Sequence, residues 1–200
     1  MNRPFRLSAW LAIALLAGCA GDPGTQAQVT NYEAPGNLES RNNLGCAKPS
    51  DLRNTHTPAD LYRSNAECVT RKDFASAVYS SALAGVYARY DAMRVADASA
   101  RQAQTVVQLK YLGSLTQEQK KQFFEALSAV ANNPERLAAL CKDIRAIGPP
   151  NYHPTYMIQH GMGAFLGGAG NNGLVADFDG AAAWEKALDT YLHCPRRQAQ

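Results

Sequence analysis

The 200-residue chain has no cluster of lysine or arginine, no Gly-x-Ser-x-Gly pentapeptide and no two cysteines within a few residues of each other. Each absence removes a class of function. Without a basic run, and with a formal charge of only +3, nucleic acid is not an expected partner. Serine hydrolysis of the elbow type lacks its turn between strand and helix. Widely spaced cysteines do not suit zinc, whose thiolate ligands usually come in close pairs. The four histidines, His56, His153, His160 and His193, include no two at three or four residues, so no helical turn carries paired ligands. The glycine-rich run 167–173 lacks the Gly-Lys-Ser/Thr with which a P-loop grips phosphate, and reads as a connecting loop. No catalytic residue, cofactor or metal is expected. Sustained period-two alternation is also missing, which leaves helix as the regular element.

What is present begins at the amino terminus. Arg3 and Arg6 form a basic head, Leu7 to Leu16 run almost wholly apolar, and the stretch ends Leu16-Ala17-Gly18-Cys19. A charged head, a short apolar body and small residues at the cut mark a secretory signal, too short to span a membrane. The ending resembles a bacterial lipobox, in which the cysteine thiol is acylated and the cysteine becomes residue one of the mature chain. That resemblance implies a signal peptide over 1–18, palmitate-type lipidation at Cys19 and a lipoprotein of the periplasm. Ala20, in place of Asp, points to the outer membrane and its periplasmic leaflet. Loss of 1–18 removes Arg3 and Arg6 and no acid, so the formal charge falls to +1. The 182 remaining residues suffice for one sizeable core.

That address governs the other cysteines. Cys46, Cys68, Cys141 and Cys194 are an even number in an oxidising compartment, which predicts two disulfides. Four cysteines permit three pairings, and sequence does not choose among them. The shorter closures, Cys46–Cys68 with Cys141–Cys194, are favoured.

Residues 19–45 are rich in Gly, Pro and Asn and poor in large apolar side chains, so they read as a flexible lipidated tether to a domain over 46–200. Within that domain, Thr57-Pro58 opens a helix to about Arg71, and Asp73 opens a long one whose apolar positions nearly encircle it. Further helices are expected over Ala98–Leu112, after the Thr116/Gln119 capping box, from Asn133-Pro134 to Gly148, from Pro154 to about Leu166, and after Asp179. The fold class is all-α: a compact, disulfide-stapled bundle of about seven helices. Leu61 to Arg89 resembles one tetratricopeptide hairpin. Such arrays need about three copies, so it reads as a lone hairpin.

The runs Ala75-Ser76-Ala77-Val78-Tyr79, Ala84-Gly85-Val86-Tyr87-Ala88-Arg89-Tyr90-Asp91, Leu140-Cys141-Lys142-Asp143-Ile144 and Tyr152-His153-Pro154-Thr155-Tyr156-Met157-Ile158-Gln159-His160-Gly161-Met162 complete the pattern. With the lipobox, the stretch from Cys46 to Cys194 resembles periplasmic lipoproteins of Gram-negative bacteria, including immunity proteins against type VI secretion effectors of the phospholipase class. The resemblance implies a non-catalytic protein that binds and neutralises a secreted effector. Tyr152, His153, Tyr156 and Gln159, with Asn171 and Asn172 of the adjoining loop, are the expected contact surface. The alternatives are an envelope scaffold or assembly factor acting through the helical hairpin, and a hydrolase using His160 with a carboxylate.

Overall fold

The computed structural model describes residues 34–166 and 170–195; the expected signal peptide, Cys19 and the first part of the tether lie outside them. Eight α-helices and no strand occur among the described residues. None of these helices is long and apolar enough to cross a membrane.

The first two helices form the expected hairpin. α1 (Pro58–Thr70) starts in a capping box: the Thr57 hydroxyl accepts from the Asp60 amide, and the Asp60 carboxylate accepts from the Thr57 amide. α2 (Phe74–Arg94) is capped by Asp73, which accepts from the Ser76 amide and takes an ion pair from Lys48 at 2.6 Å. Fourteen of its 21 residues are buried, which makes it the rod on which the bundle is built. Across the hairpin, the buried Asn65 amide donates to the Ala77 carbonyl at 2.7 Å.

A tight turn over Ala98–Gln102 leads into α3 (Ala103–Leu112), so the single helix expected over 98–112 is split. Its cause is Asp97, whose carboxylate accepts from both the amide and the hydroxyl of Ser99 and caps the tighter turn. α4 (Gln117–Ala131) begins in the Thr116/Gln119 capping box. α5 (Pro134–Ile147) begins at the Asn133 cap and ends on Gly148, whose φ of +87° is a backbone state that L side chains rarely adopt. α3, α4 and the last helix, α8 (Gly180–Ala187), pack on α2; α5 leans on α4. α8 runs on as a π-helical turn over Leu188–Leu192, which brings the Tyr191 ring over Gly85. A Cβ at Gly85 would lie 1.9 Å from the Tyr191 Cζ, so only glycine fits.

Two disulfides staple this frame, Cys46–Cys68 and Cys141–Cys194, the shorter of the possible closures. They close 22 and 53 residues, and in the chain-entropy account each loop contributes about 3–4 kcal/mol. An Arg145–Glu185 ion pair adds to the second, so α5 is tied both to the last helix and to the segment that follows it.

Packing begins earlier in the chain than expected. From Ala34 onward the chain lies on the bundle: Leu38 is buried, and its amide donates to the Tyr156 carbonyl. One carboxylate holds the rest. Asp60 accepts from Ser40 Oγ, from the amides of Arg41 and Asn42, and from Asn42 Nδ2, besides its capping bond. Burial pushes the Asp60 carboxyl up, but these donors outweigh it and hold it below its usual range. The packed chain therefore begins before Cys46.

Candidate partner-binding surface

The expected contact segment crosses the carboxy-terminal end of α2, and a buried charge holds it there. Asp91 is fully buried. Its Oδ2 accepts from the Tyr152 hydroxyl at 2.9 Å and the Tyr156 hydroxyl at 3.0 Å. Its Oδ1 accepts from Arg94 Nε at 2.7 Å, and Arg94 Nη2 makes an ion pair at the same distance. The guanidinium lies over the rings of Tyr90 and Tyr152 at 5.2 and 5.1 Å. Burial drives the Asp91 carboxyl up against the downward pull of Arg94 and both tyrosines. The same burial, with the Asp91 charge, raises Tyr152 and Tyr156 well above the ordinary phenol. Both phenols therefore stay protonated donors.

A second carboxylate fixes the next stretch. The helix expected from Pro154 to Leu166 is two short ones, α6 (Thr155–Ile158) and α7 (Met162–Phe165). The break follows from where the amides go. The Gly163 amide donates to Asp97 Oδ2 and the Met162 amide to Ser99 Oγ, both at 2.8 Å, instead of to carbonyls one turn back. Residues 173–175 then return beside α2: Ala96 donates to the Gly173 carbonyl and Val175 to the Arg94 carbonyl, both at 2.9 Å. Gly173 has φ +78°, and a Cβ there would sit 2.8 Å from Ile158 Cγ2.

The expected contact residues divide accordingly. Tyr156 is 2 % exposed and belongs to the core, because its hydroxyl is drawn to Asp91. Tyr152 is half-buried, with its ring edge-on to Tyr87. His153 is exposed and bridges Thr155 Oγ1 at 3.1 Å and the Asn172 carbonyl at 3.0 Å, so it ties α6 to the returning turn. Gln159 is half-buried, Asn172 is exposed at φ +52°, and Asn171 lies in the same Gly170–Gly173 turn. Sequence reasoning missed the apolar members of this surface: Met162 is 58 %, Leu166 78 % and Val175 40 % exposed. Met162 and Leu166 stand one helical turn apart, the spacing that ordinarily signals a core face.

His160 meets an amide and not a carboxylate: its Nδ1 lies 3.0 Å from Asn37 Oδ1. Burial lowers its pKa. Among the described residues no group of three His, Cys, Asp or Glu side chains could hold a metal. Compared with known proteins, the chain matches no described family, no curated protein and no solved structure.

Proposed function

We propose that this chain is a lipid-anchored immunity protein of the periplasm, held at the outer membrane, that binds and neutralises a secreted antibacterial effector of the phospholipase type. The observation that carries the reading is the surface offered by residues 152–166 and 172–175. Met162, Leu166 and Val175 are exposed there, as are His153 and Asn172, while Asp91 holds the Tyr152 and Tyr156 hydroxyls and Asp97 the Gly163 amide. Apolar anchors within a polar rim, on a backbone that need not be ordered at the moment of contact, suit tight association. The lipobox and the paired cysteines support the compartment. The scaffold alternative draws less support, because most of the hairpin it would use is buried within the bundle.

The test is co-expression with the effector encoded beside this gene, directed to the periplasm. Growth rescue and a one-to-one complex are the expected results. Replacing Met162 and Leu166 together by Glu abolishes both while the protein stays folded. Rescue that survives this double change moves the contact elsewhere. A purified protein that hydrolyses phospholipid, and loses that activity on His160→Ala, replaces binding by catalysis.

A further inference from the structure

The sequence has no basic run, yet the fold assembles a basic groove. α1, α3 and the start of α4 enclose an open groove of about 690 Å³ whose lining includes Arg63, Glu67, Arg71, Lys110, Tyr111 and Gln119. Arg63 and Glu67 form an i,i+4 pair at 3.5 Å, so the acid in the lining already faces a cation. Arg71 and Lys110 are exposed, and neither has a carboxylate partner among the described residues. Lys110 is the hinge of the arrangement. Its Nζ donates to the Leu38 carbonyl at 3.1 Å and sits 5.6 Å from the Tyr111 ring centre. It therefore lines a second, adjoining groove of about 400 Å³, whose walls include Ala34, Gly36, Asn37 and Glu39. The nearby Asp60 is fully engaged by the donors named above.

Ala34 is where the described chain begins, fifteen positions after Cys19. Fully extended, such a length spans about 50 Å. The basic groove thus adjoins the point where the chain arrives from its anchor. We propose that this groove faces the membrane and takes the phosphate headgroups of anionic phospholipids in the leaflet that holds the lipid. The inference rests on the anchoring part of the functional reading. Arginine and lysine near an anionic surface are attracted to it within a Debye length, about 8 Å at physiological salt. Guanidinium groups match phosphate oxygens in pairs. A short tether holds the groove near the surface at an effective millimolar concentration, so weak attraction suffices.

The experiment uses unlipidated residues 20–200, which keep the whole described core and both disulfides, and so does not depend on acylation. Sedimentation is measured with vesicles of phosphatidylethanolamine and phosphatidylglycerol, and with phosphatidylcholine alone. Binding is expected to the anionic vesicles only, and to vanish in 0.5 M salt. Arg71→Glu with Lys110→Glu lowers the partition coefficient at least tenfold. Lys142→Glu, an exposed reversal on α5, leaves it within twofold. Equal binding to both vesicle types, no binding to either, or equal loss in the Lys142 control overturns the proposal. Displacement by 10 mM inorganic phosphate makes this a soluble-phosphate site, and loss of effector complex without loss of vesicle binding makes it a protein contact; either overturns the membrane assignment. An unlabelled Cys19 with vesicle binding intact would sink the anchor reading alone.

Discussion

Tyr156 and Asp91 are 65 residues apart in the chain and 3.0 Å apart between phenol and carboxylate oxygens. That contact decides whether the 152–158 segment is surface or core. Asp91→Ala removes the acceptor of two hydroxyls and strips Arg94 of its counter-charge. Breaking a buried pair in this way costs about 3–5 kcal/mol, read from urea or thermal unfolding. Tyr156→Phe removes one hydrogen bond to a charged group and costs about 1.5–3 kcal/mol. An Asp91→Ala protein as stable as the parent would dismiss the network as the anchor of this segment.

Gly85→Ala drives a methyl into the Tyr191 ring, and overpacking of this kind costs about 1–3 kcal/mol. Truncating the ring relieves the clash. In the double-mutant cycle, Gly85→Ala combined with Tyr191→Ala is therefore less destabilised than the two single changes added together. Strict additivity would show that the two positions do not touch.

Asp60 predicts an acid-sensitive edge. Its folded pKa is depressed, so the stability it supplies is fully present above the unfolded value of about 3.9 and is lost as pH falls through the folded value. Hydrogen exchange at the Arg41 and Asn42 amides should accelerate as pH drops below about 4, after correction for intrinsic rates. Asp60→Asn abolishes the acid step and leaves both amides weakly protected at neutral pH.

Replacing Cys141 and Cys194 by Ser opens the longer loop and costs about 4 kcal/mol in the chain-entropy account. Peptide mapping of the alkylated, unreduced protein should give Cys46 linked to Cys68 and Cys141 to Cys194. Any crossed pair contradicts the fold.

Metabolic labelling with a palmitate analogue should mark the parent protein and not Cys19→Ala. Label that persists in the mutant places the acyl chain elsewhere.

Wherever a signal is written in adjacent residues, sequence and structure agree. Thr57-Pro58, the Thr116/Gln119 box, Asn133-Pro134 and Gly148 each satisfy or end a helix from within one turn. The apolar girdle of α2 announced a central helix. Misreadings arose where a distant carboxylate decided the matter. Asp97 and Ser99 take amides from 162 and 163 and break one helix in two. Asp60 gathers 40–42 onto the bundle, ahead of the expected boundary at Cys46. Asp91 offered a clue of its own, an acid three residues before an arginine in an apolar helix. Met162 and Leu166 gave a misleading one, since spacing alone does not distinguish a face turned inward from one turned out.

The central helix is finished by the last part of the chain. Trp184 packs against Tyr87 and Tyr90, with ring centres 5.9 and 6.4 Å away, and Phe178 meets Tyr90 edge-on at 5.3 Å. A chain growing from its amino terminus therefore lacks the Phe178 and Trp184 part of the cover over these tyrosines until some 180 residues have been made. A product truncated before Phe178 lacks their cover and the partner of Cys141, leaving a sticky surface and a free thiol on the same fragment.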